Sequence, residues 1–313
     1  MKTVLHHFLH LFLAAFLFIA AFSFSSCSRK TEKISVGQVF FDQEYFVMKV
    51  GESAVLTARV FPDNADDKSL IWTSSNKGVA TVDQNGKVTA VSAGTEIITA
   101  TTKDGSWQSA SCSVVVIDEP TAVDLGLSVK WASFNLGASA ADECGLYYAW
   151  GEIAPKSKYD WSTYQWSNGS YTSFIKYNTS RDFGPVVDNK TTLEPDDDAA
   201  HVVLGGGWRM PTIEDWAELW YGCDWSWATQ NGMNGYKVTS KKSGYTGKWI
   251  FLPAAGSRLD THIGDVGSYG NYWSSSLGTV DPDYARFVYF HSEGVYSTGK
   301  SRCFGYSVRP VLE

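Results

Sequence analysis

Beyond residue 27 the chain offers three histidines, His201, His262 and His291, and none is spaced with another His or Cys as zinc ligands are. That disfavours a metalloenzyme. Gly205-Gly206-Gly207 lacks the Gly-Lys-Ser/Thr ending of a phosphate-cradling loop, so it reads as a turn into Trp208 and implies no nucleotide. Asp196, Asp197 and Asp198, with Asp188 and Glu194 close by, gather hard oxygen ligands of the kind calcium takes. Their spacing lacks the regular Asp/Asn and Gly pattern of a calcium loop, and the competing reading is a helix N-terminus with solvated acids. Calcium is thus the one cofactor the sequence admits, and no catalytic set emerges. Recognition is better provided for. Sugar binding needs rings that pack on C–H faces beside acids and amides that bond hydroxyls. From Ser268 to Pro310, Tyr, Asn, Asp, His, Ser and Arg are interspersed among strand residues, the adaptable composition of binding surfaces. The candidate contacts are Tyr269, Asn271, Asp283, Tyr284, His291, Tyr296, Arg302 and Phe304. An ordinary polar surface has the same composition.

These side chains need a scaffold, and the second half of the chain writes an irregular one. Eleven of the thirteen tryptophans fall between Trp131 and Trp273, with glycines scattered among them, which interrupts any long helical period. One helix is well signalled. Thr212 as N-cap and Asp215 three positions on resemble a capping box, and Trp216, Leu219, Trp220 and Cys223 form one apolar face that Gly222 ends. Strands are expected over Tyr236 to Ser240, Trp249 to Leu252, Tyr272 to Ser276, Tyr284 to Phe290 and Tyr306 to Val311. The Tyr284 to Phe290 segment carries bulk on both faces, as a buried strand does. An α+β domain follows from one helix among such strands.

The first half differs. Between Ile34 and Ile117 short strands are cut by turns at the rhythm of an all-β sandwich. Val55 to Val60 alternates as a half-buried strand, and Val79 to Val82 with Lys87 to Val91 flank Asp83-Gln84-Asn85-Gly86 as a hairpin. Trp72 belongs to the core of this sandwich. Val50-Gly51-Glu52-Ser53, Ile71-Trp72-Thr73-Ser74-Ser75-Asn76, Val79-Ala80-Thr81-Val82 and Asn85-Gly86-Lys87-Val88-Thr89-Ala90 resemble the bacterial immunoglobulin-like group 2 family, which implies a stalk module of surface proteins.

At the start, Lys2 and the apolar run from Phe8 to Phe24 have the order of a signal peptide, and the run is short for a membrane span. Phe24-Ser25-Ser26-Cys27 resembles a bacterial lipobox, which implies cleavage before Cys27 and acylation of its sulfur. Everything after it is then outside the cytoplasm. From Ser28 to Pro120 there are 9 basic and 12 acidic residues, and from Thr121 to the end 16 and 21. Neither half carries the positive field that nucleic acid requires. Cys112, Cys144, Cys223 and Cys303 fall one in the first half and three in the second, so neither half can pair all of its cysteines.

In the second half, Tyr147-Tyr148-Ala149-Trp150-Gly151-Glu152, Gly206-Gly207-Trp208-Arg209-Met210-Pro211-Thr212, Phe251-Leu252-Pro253-Ala254-Ala255-Gly256 and Ser307-Val308-Arg309-Pro310-Val311 resemble the Fibrobacter succinogenes major paralogous domain family. More remotely, Trp208 to Thr212 is similar to sulfatase-modifying-factor domains, which implies a C-type-lectin-like fold. Those enzymes use a cysteine pair near the domain's end, where this chain has Cys303 alone. The tail also resembles the variable segment of retroelement-diversified lectin-like proteins. The organisation expected is a signal peptide over 1–27, a tether over 28–33, an immunoglobulin-like sandwich over 34–117, a linker over 118–122 and an α+β C-type-lectin-like domain over 123–313. The whole reads as a non-enzymatic outer-membrane lipoprotein of the cell envelope, facing the surface or the periplasm. Its expected partners are the membrane, through the anchor, and a glycan or surface protein. A structural part of a surface assembly and a relative of the sulfatase modifiers are the alternatives.

Overall fold

The computed structural model describes residues 32–313, so the signal segment and Cys27 lie outside the described residues. The first module contains β1 (Gln38–Phe41), β2 (Tyr45–Lys49), β3 (Ser53–Val55), β4 (Ala58–Phe61), β5 (Leu70–Ser74), β6 (Ala80–Val82), β7 (Lys87–Ala90), β8 (Gly94–Thr102) and β9 (Ser109–Ile117). A four-stranded sheet in the order β2-β9-β8-β5 faces a three-stranded one, β3-β7-β6, while β1 pairs with β4. Period-two alternation builds the core. Ile98 and Ala100 of β8 point inward while Ile97 and Thr99 point out, and Trp72, Val88 and Val114 close the interior. The segment expected as one strand over Val55 to Val60 is two, because the chain leaves β7 after β3 and re-pairs with β1 at β4. Its alternation survives the break, with Leu56 buried and Thr57 and Arg59 exposed.

The hairpin β6–β7 pairs Ala80 with Ala90 and Val82 with Val88. Its turn is closed by the Asp83 carboxylate, which accepts from Asn85 N at 2.8 Å and Lys87 N at 2.9 Å. Gly86 sits at φ 78°, and a Cβ there would lie 2.6 Å from the Leu56 carbonyl oxygen and 3.0 Å from the Trp72 ring.

The second module begins with β10 (Ala122–Val123), β11 (Lys130–Ala132) and β12 (Tyr147–Tyr148). After long loops come α1 (Ala199–Leu204), β13 (Trp208–Arg209) and α2 (Ile213–Gly222). The rest is β14 (Cys223–Gln230), β15 (Met233–Ser240), β16 (Trp249–Pro253), β17 (Ser257–Leu259), β18 (His262–Gly264), β19 (Gly270–Leu277), β20 (Tyr284–His291), β21 (Gly294–Ser301), β22 (Tyr306–Ser307) and β23 (Val311–Leu312). This module too is mostly β. Its largest sheet runs β12-β22-β19-β20-β21, and β23 returns to lie between β11 and β13, joining the module's beginning to its end.

The capping box forms: Thr212 Oγ1 accepts from Asp215 N, and the Asp215 carboxylate accepts from Thr212 N at 2.8 Å. Trp216 and Leu219 are buried as the periodicity requires, but Trp220 is 38% exposed and stacks on Tyr221. Gly222 is the last helical residue, not a stop beyond it, and Cys223 opens β14. The strand expected over Tyr306 to Val311 breaks in two. Arg309 turns into the interior there and Pro310 has no N–H to donate to a ladder.

The modules share a core. Val115 and Ile117 of β9 pack in one cluster with Ala199, Ala200 and Leu204 of α1, and Tyr45 and Val47 cover it. Lys49 Nζ donates to the Leu204 carbonyl at 3.0 Å, satisfying one of the carbonyls left open at the end of α1. Between Ile117 and Ala122 the chain runs only through Asp118, Glu119, the buried Pro120 and Thr121. Among the described residues no helix is long and apolar enough to cross a membrane.

Candidate functional site

Because side chains alternate along a strand, Phe287, Tyr289 and His291 of β20 share one face, and Tyr296 on β21 lies directly opposite Tyr289. The rings form a continuous ladder. Phe287 stacks on Tyr289 with centroids 5.6 Å apart, Tyr289 on Tyr296 at 5.1 Å, Tyr296 on His291 at 5.4 Å, and His291 meets Tyr269 at 5.2 Å. The other end continues to Tyr306, 4.9 Å from Phe287. The opposite face of β20 carries Val288 and Phe290, which are buried against Tyr236 and Tyr272.

The β17–β18 hairpin stands beside this ladder and leaves an open cleft of about 570 Å³ between them. Tyr269, Tyr289 and Phe304 line its apolar side with the Asn271 amide beside them, while His262 of the hairpin and Asp265 just after it bring further polar groups. Asn271 is held in place by donation of its Nδ2 to the Gly256 carbonyl at 3.0 Å. Lys300 Nζ lies 4.8 Å from the Phe304 ring centroid, in the range of a cation–π contact. Flat rings, an amide, a carboxylate and a cation around one concavity match what a polar ligand with apolar faces needs.

The eight candidate contacts are split by the fold. Tyr269, Asn271 and Phe304 line the cleft, and His291 and Tyr296 belong to the ladder that continues beyond it. Tyr284 points to the other side of β20, beside Arg286 and Val280. Asp283 lies half-buried in the turn before β20, its main-chain carbonyl accepting from Arg302 N, and burial raises its carboxyl pKa. Arg302 is a correction. It is 0% exposed, its guanidinium 3.8 Å from the Phe174 centroid and flanked by Trp150 and Tyr164, so it reaches no ligand on the sheet face. Phe287, Tyr289, His262 and Asp265 were not among the candidates. The alternation of Ala285, Phe287 and Tyr289 was the available signal for the first two; nothing local marked the hairpin pair.

The acidic run is drawn apart by other partners. Asp188 accepts from Tyr177 N and Asn178 N, both at 2.9 Å. Glu194 pairs with Lys190 at 2.5 Å and Lys176 at 2.7 Å, and Asp197 with Lys176 at 2.5 Å. Asp198 is buried, not solvated, and caps α1 by accepting from Ala200 N and His201 N while also tying down Met210 N. Asp196 stays exposed. Among the described residues no group of three or more His, Cys, Asp or Glu side chains is arranged to hold a metal ion. Gly205, Gly206 and Gly207 all have positive φ and form the turn between α1 and β13. All four described cysteines are free, and burial pushes the Cys303 thiol up to about 12, which leaves it a weak nucleophile near neutral pH.

Residues 35–114 match the profile of the bacterial Ig-like domain (group 2). An uncharacterized protein of Clostridium acetobutylicum is 52% identical over 67 residues, 21% of this chain and 7% of that one. A 3-O-alpha-D-galactosyl-alpha-L-arabinofuranosidase of Bifidobacterium longum subsp. longum is 49% identical over 72 residues, 23% of this chain and 6% of the enzyme. The kappa-carrageenase of Pseudoalteromonas carrageenovora is 38% identical over 71 residues, covering 23% and 18%. The chain thus spans under a fifth of the length of each of these relatives. Among solved structures, domains 1-6 of the surface layer protein SbsC align over 85% of this chain and 26% of that one at 11% identity, with a TM-score of 0.24. Protocadherin gammaB7 EC3-6 aligns over 36% and 29% at 12% identity and a TM-score of 0.22. Likenesses that shallow say nothing of how the two modules are arranged.

Proposed function

We propose that this protein is a non-enzymatic lipoprotein of the bacterial cell envelope, anchored through Cys27, whose second module recognises a glycan or a surface protein. The Ig-like module sets it off from the outer membrane. The observation that carries the reading is the cleft of about 570 Å³ floored by a ladder of stacked rings, with polar groups converging from a separate hairpin. In this reading residues 123–313 form a C-type-lectin-like domain of the Fibrobacter succinogenes major paralogous type. The stretches shared with the two glycosidases are under a fifth of those enzymes, which supports an accessory module that travels with sugar-directed proteins and not a catalytic one. The weakly nucleophilic Cys303 argues against chemistry of the sulfatase-modifier kind.

The test is binding of the whole mature protein to glycan and surface-protein arrays, repeated with Tyr269, Tyr289 and Phe304 all changed to Ala. Loss of at least ten-fold in affinity is expected from a variant that is less stable than wild type but still folded at the assay temperature. A triple variant that folds and binds as before removes the cleft as the ligand site.

A further inference from the structure

At the end of the Ig-like module remote from the second module, three segments meet. The first described residues run between the loop that follows β4 and the hairpin that joins β8 to β9. Ile34 exchanges bonds with Asp66, its N–H donating to Oδ2 at 2.8 Å and its carbonyl accepting from Asp66 N at 3.0 Å. Val36 N donates to Asp104 Oδ2 at 2.7 Å, and Lys33 Nζ lies 3.4 Å from the Asp104 carbonyl. Gly37 N donates to the Phe61 carbonyl at 2.8 Å. The start of the folded chain is therefore pinned to the tip of the β8–β9 hairpin.

That tip carries Trp107, which is 80% exposed and held at φ 59°, a backbone conformation that costs a bulky residue free energy without an evident structural return. Phe61 is 59% and Ile34 40% exposed at the same end. Three lysines belong to the same end: Lys33 beside Asp104, Lys68 Nζ donating to the Asp63 carbonyl at 2.6 Å, and Lys103 N donating to the Ser69 carbonyl at 3.0 Å. From this tip β9 runs nine residues, about 26 Å at a strand's rise, to Ile117 in the core shared with the second module. The tip is thus opposite the cleft-bearing module. Only five residues separate Lys33 from Cys27, six Cα-to-Cα steps with a reach of at most about 20 Å.

We propose that Trp107, with Phe61 and Ile34, is a second membrane contact: the base of the Ig-like module rests in the lipid–water interface of the bilayer that holds Cys27. This rests on acylation of Cys27 as proposed above. Tryptophan suits such a site because its ring is apolar while its N–H finds partners at headgroup level, and lysines can keep their ammonium groups in water there. The lipid anchor keeps the tip near the bilayer, so even a weak contact is occupied. Asp63, Asp66, Asp67 and Asp104 outnumber the three lysines at this end, so the folded tip offers no net positive charge to lipid and its contact rests on the apolar side chains. The contact would stop the module from swinging on its tether and fix the direction in which the cleft is presented.

The acylated full-length protein, reconstituted into phosphatidylcholine vesicles with brominated acyl chains, tests this through tryptophan fluorescence. The wild type should be quenched relative to unbrominated vesicles, and Trp107→Ala should lose that quenching with no change in unfolding midpoint. Trp107→Phe should lose it too while leaving the protein bound. Equal quenching in wild type and Trp107→Ala, or none in the wild type, overturns the contact while leaving the anchor intact. Intact mass is measured first. A Cys27 without acyl chains overturns the anchor and, with it, this inference.

Discussion

The two modules solve the same problem by different means, since every buried main-chain carbonyl and amide must find a partner. In the Ig-like module the strands supply most of those partners to one another, and polar side chains finish turns and ends, locally as Asp83 does or from a distance as Asp104 does for Val36 N. In the second module side chains reach across the chain to carbonyls on edge or bulged strands and in loops. Trp150 Nε1 donates to the Ser274 carbonyl and Trp273 Nε1 to the Tyr148 carbonyl, both at 2.8 Å, while Tyr147 and Tyr272 hydroxyls hold the carbonyls of Ala255 and Pro253. The tryptophan richness that marks this half is thus largely structural. Rings that close off carbonyls the short ladders leave open tie the long non-repetitive segments to the sheets, and those segments can then shape a cleft beside an otherwise ordinary sheet.

The comparison breaks most sharply at Arg309. This fully buried guanidinium donates to Asn135 Oδ1 at 2.9 Å, to the Ala132 carbonyl at 3.0 Å and to the Phe251 carbonyl at 2.7 Å, tying three distant segments together. Arg309→Met orphans three acceptors at about 1–3 kcal/mol each, offset in part by no longer burying a cation, for a net loss on the order of 4 kcal/mol. Urea denaturation should show the second module unfolding early. A midpoint within error of wild type would mean that the cross-chain bonds are not what holds this module.

In the Ig-like module the matching weak point is backbone geometry. Gly86→Ala puts a Cβ against the Leu56 carbonyl and Trp72 at a positive φ, so strain and overpacking together should cost about 3 kcal/mol. The same measurement should now show the first module failing while the second persists. If both modules fall together at one midpoint, the cluster of Val115 and Ile117 with α1 couples them into a single cooperative unit.

The same contrast explains what could be read in advance. The sandwich was legible because period two and turn chemistry are local: Trp72 is buried, and Asp83 to Gly86 form the turn that their types demand. The capping box of α2 was legible for the same reason. Arg302 was not, because an arginine among Tyr, Ser and Lys has the composition of a surface, and only the fold sets Trp150, Tyr164 and Phe174 around it. Of the cleft, the β20 face was half visible in its alternation. The hairpin that completes it is brought there by tertiary contacts such as the pairing of Arg258 with Gly305.

A finer probe of the cross-chain bonds is Trp150→Phe, which keeps an aromatic ring against Tyr177 but removes the N–H that serves the Ser274 carbonyl together with part of the indole. The expected loss is about 2 kcal/mol, one orphaned buried acceptor with a small void, read again from urea midpoints. An effect below about 0.5 kcal/mol would mean that water takes over the Ser274 carbonyl, and that this bond is not what holds the two segments together.

The smallest effect concerns the acidic run. Hydrogen bonds and charge from Lys176 and Lys190 hold the Glu194 carboxyl down at about 2, against 4.5 for a free glutamate. A folded-state pKa below the unfolded one means that the contribution is present above about 4.5 and is lost as pH falls through about 2. Because the group is exposed, solvent screens it and the effect is slight. Glu194→Gln should therefore unfold slightly earlier than wild type at neutral pH, and the two urea midpoints should converge as pH drops through that window. Midpoints that stay parallel would show that Lys176 is held by Asp197 alone, leaving the loop before α1 indifferent to Glu194.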